Sequence, residues 1–129
     1  MHPYHHALSS AKKHGGTWQH FIDIHHWFDE TKSMFGDARH RALRHHTAGI
    51  FWCERQFGTT MLVDGKEIPV RVIAEQHVME DMGFLPTPDW WLSQMALTPA
   101  MNRVPGKCEI NAVDDLKRII RNELYKGEG

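Results

Sequence analysis

The chain has 129 residues, 41% of them hydrophobic and 24% charged, which is the size of one domain and the composition of a globular one. A net charge of −1 with the histidines neutral excludes a general basic field for nucleic acid, and no stretch approaches the ~18 apolar residues of a membrane span. Two cysteines, Cys53 and Cys108, with no C-x-x-C spacing exclude a zinc site built on cysteine pairs and read as buried, reduced thiols of a cytoplasmic protein.

The unusual quantity is eleven histidines. They make the surface charge rise steeply as pH falls through about 6.5. The first of them, in MHPYHH, are interrupted by Pro3 and Tyr4, which argues against an expression tag. No long apolar run follows, so the segment does not read as a secretory signal. Residues 4–14 read as a short helix, with Pro3 suited to its first turn and Gly15-Gly16 as its stop. Tyr4, Leu8 and Ala11 share one face, and His6 can point either way.

Thr17 is an N-cap for a second helical stretch through Lys32, breaking near Asp23. Ile24, Trp27, Phe28 and Thr31 recur at helical spacing on one face, and His25, Asp29 and Lys32 on the other. A His–Asp pair one turn apart can bind a metal jointly or form a surface hydrogen bond. Residues 34–57 read as one long helix stopped by Gly58, with Phe35, Ala42, Leu43, His46, Ile50, Cys53 and Phe57 on an apolar stripe. That phase turns His40 and His46 inward and His45 outward.

Residues 59–73 carry a hairpin signal, apolar and β-branched residues flanking Asp64-Gly65. Pro69 limits the second strand to an edge. Residues 74–82 read as a helix ended by Gly83, with His77 and Asp81 one turn apart and Glu75 near them. Thr87 caps a helix with Pro88 in its first turn, and Trp90 and Trp91 are expected to close the core. Residues 98–110 read as loop. A last helix begins near Asn111, with Val113, Leu116, Ile119, Ile120 and Leu124 as its buried stripe and a possible homo-oligomer contact. The expected architecture is mainly α (α+β): a compact bundle of about five to six helices with one hairpin. Residues 1–98 form its His-rich metal-binding part, and 99–129 a loop and docking helix.

Three helices could converge their histidines and acids on one point. The candidate ligands are His25, Asp29, His40, His46 and His77, with Glu75 and Asp81 as catalytic acids or bases. Mixed imidazole and carboxylate donors suit a divalent transition metal, zinc first and iron or manganese as alternatives. Lys32, Arg39 and Arg44, with Arg41 beside them, would bind a phosphate. Metal plus arginines points to hydrolysis of a phosphate ester, on a small phosphorylated ligand or nucleic acid. The alternative is a non-catalytic, metal-stabilised interaction module that binds a host protein. A nucleic-acid-binding role for the Arg–His segment is a third reading, opposed by the near-neutral charge. The chain has no G-x-S-x-G and no phosphate-binding glycine loop.

The run HHWFDETK…RHRALRHHTAGIF, the hairpin and EQHVMEDMGFLPTPDWW together resemble an uncharacterised family of small bacterial and phage proteins, a domain of unknown function. The resemblance spans about residues 2–95. It implies a shared site over His5, His6, His25, Asp29, His40, His45, His46, Glu75, His77 and Asp81, and no assigned activity.

Overall fold

The structure is a computed structural model, described over residues 1–106, 120 and 121. Pro3 sets the backbone for the first turn of α1 (Pro3–His14), and the His2 ring accepts the Tyr4 amide hydrogen there. The helix ends at Gly15. Thr17 opens a 3-10 turn, Trp18–His20, in which the His20 ring reaches back to the Thr17 amide at 3.0 Å. The chain bends at Phe21 and enters α2 (Ile22–Asp29), which tightens into a second 3-10 turn, Glu30–Ser33. The break expected near Asp23 therefore falls two residues earlier.

The long helix expected over 34–57 does not form. Asp37 accepts the Arg39 amide hydrogen at 2.9 Å and caps a separate 3-10 segment, Ala38–Leu43. The chain turns at Arg44–His46 before α3 (Thr47–Phe57) begins. His46 caps α3 through its ring Nδ1, which accepts the Gly49 amide hydrogen at 2.9 Å. A side chain at position 49 would place its Cβ 1.7 Å from the Arg44 carbonyl oxygen, so the turn closes only over glycine. Helical phase is lost across the break. Phe35 and Leu43, assigned to the apolar stripe, are exposed, while Ile50 and Cys53 are buried.

The hairpin pairs β1 (Thr60–Val63) with β2 (Lys66–Pro69) antiparallel, Val63 opposite Lys66. Asp64 and Gly65 both have positive φ, 51° and 79°, the requirement of the tight two-residue turn that the Asp-Gly pair signals. The second strand is shorter than expected. Pro69 ends it and caps α4 (Val70–Met82), which begins at Val70 rather than near 74. After Gly83, Thr87 caps α5 (Pro88–Leu92) by accepting the Trp90 amide hydrogen.

Chain contacts divide the molecule into Met1–Gln94 and Met95–Gly129. In the first unit α4 is central, touching α1, α2, α3 and both strands. Phe21, Phe28, Ile73, Val63, Val70 and Val78 are fully buried at its heart. Trp90, expected to close this core, is 39% exposed. In the second unit Pro99–Asn102 form a 3-10 turn within the expected loop. Ile120 is helical and exposed, against its expected burial. The rest of the expected C-terminal helix lies outside the described residues. The fold is mainly α with a single two-stranded hairpin among the described residues.

Candidate metal centre

The first unit buries almost as many polar side chains as apolar ones: His6, Ser10, His25, Asp29, Thr31, His40, His45, His46, Gln76 and His77. Most of them converge where α1, α2, α4 and the Arg44–His46 turn meet. His77 and Asp81 lie one turn apart on α4, with His77 Nε2 3.1 Å from Asp81 Oδ2. Asp29, at the end of α2, brings Oδ1 to 3.5 Å from the same nitrogen. His45 Nε2 stands 2.9 Å from Asp81 Oδ2 and 3.6 Å from Asp29 Oδ1. His6 on α1 completes the group, its Nε2 3.1 Å from Asp81 Oδ1 and its Nδ1 2.7 Å from Glu80 Oε1.

Ligand atoms of His6, Asp29, His77 and Asp81 all lie within 4.8 Å of one another, as do those of His6, His25 and His77. Donors held about 2.0–2.2 Å from a zinc ion stand about 3–3.5 Å apart, close to the separations seen here. Among the described residues three buried side-chain atoms have no hydrogen-bond partner: Asp29 Oδ2, His45 Nδ1 and His77 Nε2. His77 Nε2 is near two carboxylate oxygens without bonding either. Buried polar atoms are normally paired. An imidazole nitrogen and two acidic oxygens that converge in this way are donors of the kind that bind a metal ion. The cluster can hold a metal ion.

Electrostatics run the same way. Burial pushes the Asp81 carboxyl up, but bonds from His45 and His6 and the nearness of His77 hold it well below the usual carboxylate range. Asp29 is also lowered, burial being outweighed by His77. Burial would lower His77, yet Asp29 and Asp81 outweigh it and raise the imidazole above its ordinary value. Burial holds His25 down to about 2, aided by His77 and His6. It holds His45 down to about 4, against the pull of Asp81. Glu80, bonded by Ser9, His6 and Gln76, is lowered despite burial. Two ionised aspartates thus face a neutral His45, and a neutral His25 stands behind His77.

Of the residues expected from the sequence, His25, Asp29, His77 and Asp81 are brought together. His25 does so indirectly, its Nδ1 2.9 Å from His77 Nδ1. The other candidates lie elsewhere. Glu75 turns outward and pairs with Arg71 at 3.2 Å. His46 spends its ring on the α3 cap. His40 bonds Thr31 Oγ1 at 2.8 Å through Nδ1, its ring 5.6 Å from that of His45. Arg39 grips Asp37 and lies over Phe35. Arg44 bonds the Trp27 carbonyl and Glu30 and covers the Trp27 ring at 4.1 Å. His5 is exposed. Two of the expected phosphate-binding groups are near: Lys32 lines a depression of ≈ 530 Å³ with His2, Pro3, His26, Asp29 and Glu30, and Arg41 brings Nη2 to 3.8 Å from Asp81 Oδ1.

His45 is the cluster residue that helical phase misplaced, because the break at Arg44–His46 reverses which of the paired histidines points inward. His6 lay open between two orientations. Its partner Glu80, together with Ser10 and Gln76, went unread. The signal available was spacing: His6 and Ser10 are one turn apart on α1, as are Gln76 and Glu80, so each pair shares a helix face.

A protein family described as a domain of unknown function (DUF6915) matches residues 1–101. The chain belongs to that family. The DUF6915 match takes in every residue of the cluster, from His6 to Asp81. No curated protein and no solved structure matches the chain.

Proposed function

We propose that the cluster is a divalent metal centre and that the protein uses it to hydrolyse a phosphate ester. The observation that carries the metal reading is His77 Nε2, buried, unbonded and faced by oxygens of Asp29 and Asp81. His6, His45, His77, Asp29 and Asp81 are the ligand candidates, and zinc, iron and manganese the ions that such donors suit. A divalent ion held there supplies Lewis-acid chemistry, polarising a phosphoryl oxygen and acidifying water.

Asp29 supports the hydrolytic reading, because it belongs both to the ligand cluster and to the wall of the depression. A substrate in that depression would reach the centre past Asp29. Lys32, exposed on the same wall, is placed to meet an anionic group. Arg39 and Arg44 are committed to Asp37, Glu30 and Trp27, and Arg41 lies against Asp81, so of the expected basic groups Lys32 is the one on the depression's wall. Glu80 accepts from His6, Ser9 and Gln76 and orients the His6 ring.

A second reading has its own support. His6, His25, His45 and His77 are at most 0% exposed and Asp29 is 6%. Enclosure of that kind suits an ion that holds a binding module together. Metal analysis of tag-free protein, as purified and after reconstitution with zinc, manganese or iron, decides the first point. Stoichiometric metal that Asp81→Asn removes is expected; metal-free protein under all these conditions overturns the proposal. Assay of the loaded protein with bis(p-nitrophenyl) phosphate, p-nitrophenyl phosphate and nucleotides then separates the two readings. Turnover abolished by Asp81→Asn marks the hydrolase. Bound metal without turnover, and a melting temperature that chelation lowers, marks the module.

A further inference from the structure

His25 does not face the carboxylates. Its Nδ1 lies 2.9 Å from His77 Nδ1, and its Nε2 lies 2.8 Å from Ser10 Oγ. Ser10 Oγ is 2.8 Å from Gln76 Oε1 and 3.1 Å from the His6 carbonyl. The Gln76 amide nitrogen is 3.1 Å from both the His6 carbonyl oxygen and Glu80 Oε1. All four side chains, Ser10, His25, Gln76 and His77, are buried.

The donors can be assigned one after another. The Gln76 nitrogen has two oxygen acceptors, neither of which carries a hydrogen in the ionised state of Glu80. That fixes the amide orientation and leaves Oε1 toward Ser10. Ser10 has one hydroxyl hydrogen, and its oxygen neighbours, Gln76 Oε1 and the His6 carbonyl, can only accept. The hydrogen goes to one of them, and the Ser10 oxygen then accepts from His25 Nε2. A neutral His25 with its proton on Nε2 has a bare Nδ1. That atom accepts from His77 Nδ1–H. The reversed pattern would leave the Ser10 oxygen without its donor and force His77 Nδ1 to accept. Only the first pattern satisfies Gln76, Ser10 and His25 together, and it leaves His77 Nε2 to the carboxylates.

We infer that Gln76, Ser10 and His25 form a hydrogen-bonded chain that holds the proton of His77 on Nδ1 and presents Nε2 to Asp29 and Asp81. In this role all three are positioning residues that act through His77, although His25 also belongs to the His6–His25–His77 group. A metal-binding imidazole is commonly fixed in this way by a partner on its other nitrogen. Here that partner is a second imidazole whose tautomer is set two links further away. The consequence for metal affinity rests on the metal reading above; the proton assignment does not.

The test uses the full chain with ¹⁵N-labelled histidine. Imidazole nitrogen spectra of the metal-free protein at neutral pH should show His25 protonated at Nε2 and bare at Nδ1, and His77 protonated at Nδ1. Ser10→Ala should return His25 to a mixture of tautomers and weaken zinc binding by about 10–100-fold, measured by competition with a chromophoric chelator. Gln76→Met gives the same readings if Ser10→Ala does not fold, and circular dichroism checks folding of each variant. A His25 protonated at Nδ1 overturns the inference, as do unchanged tautomers in both variants. Tautomers as inferred in a wild-type protein that binds none of zinc, manganese and iron sustain the chain and sink the metal reading. Zinc binding equal in wild type and both variants, with unchanged tautomers, does the reverse.

Discussion

His45 and His46 are neighbours in sequence with unrelated duties. One ring stands against Asp81 and Asp29, and the other closes the first turn of α3. Substitution should separate them. His46→Ala removes a cap, expected to cost about 1 kcal/mol of stability, and leaves metal content unchanged. His46→Asn, which also caps, should recover most of that loss. His45→Ala should lower metal affinity by far more than it lowers stability of the metal-free protein. Paired chemical denaturation and metal titration check both. Equal metal loss in the two alanine variants would show that His46 belongs to the centre after all.

The element that sets the site is the turn between the 3-10 segment and α3. It exists because Gly49 lets the Arg44 carbonyl pass where a Cβ would stand. Gly49→Ala should destabilise the protein by about 3 kcal/mol and weaken metal binding through the displaced His45, read by thermal melting and metal titration. Unchanged affinity in the folded variant would mean that the turn does not position His45. This turn is also where the sequence was hardest to read. α1, the hairpin, the His77–Asp81 spacing and the Thr87–Pro88 cap were legible, because each is a local pattern with a local cause. The break within 34–57 was not legible, because a histidine is an uncommon cap and a single mid-helix glycine usually signals nothing. Once a continuous helix was assumed, phase sent His45 out and His46 in. Glu75 failed for a different reason: closeness in sequence to His77 did not place it on the same face. Arg39 and Arg44 were drawn off by acids and rings within their own segment.

At the scale of the whole molecule, the buried imidazoles make stability depend on pH. His25 and His45 are held below their ordinary value, so the unfolded chain takes up protons that the fold refuses. Their contribution is therefore present above about pH 6.5 and is lost as pH falls toward their folded values. At pH 5 each costs about 2 kcal/mol. His77, raised by Asp29 and Asp81, has the opposite sign: it adds stability as pH falls, and offsets part of the loss. The metal-free protein should thus melt at a lower temperature at pH 5 than at pH 7.5. Identical melting at both would contradict the neutrality of His25 and His45. Bound metal, which the unfolded chain does not hold in the same way, should raise stability by about 2.7 kcal/mol at a hundredfold excess over Kd.

The indole of Trp91 donates its Nε1 hydrogen to the His45 carbonyl oxygen at 2.9 Å, and the Thr47 amide is tied to the Pro86 carbonyl at 2.9 Å. The segment around α5 therefore grips the backbone of the very turn that carries His45. If the proposed centre takes up an ion, a tryptophan bonded to that backbone would serve as its optical gauge. Its emission should shift when an ion draws the His45 ring inward, and Trp91→Phe should abolish the shift among the five tryptophans of the chain. Filling of the centre could then be followed by fluorescence, without any added dye.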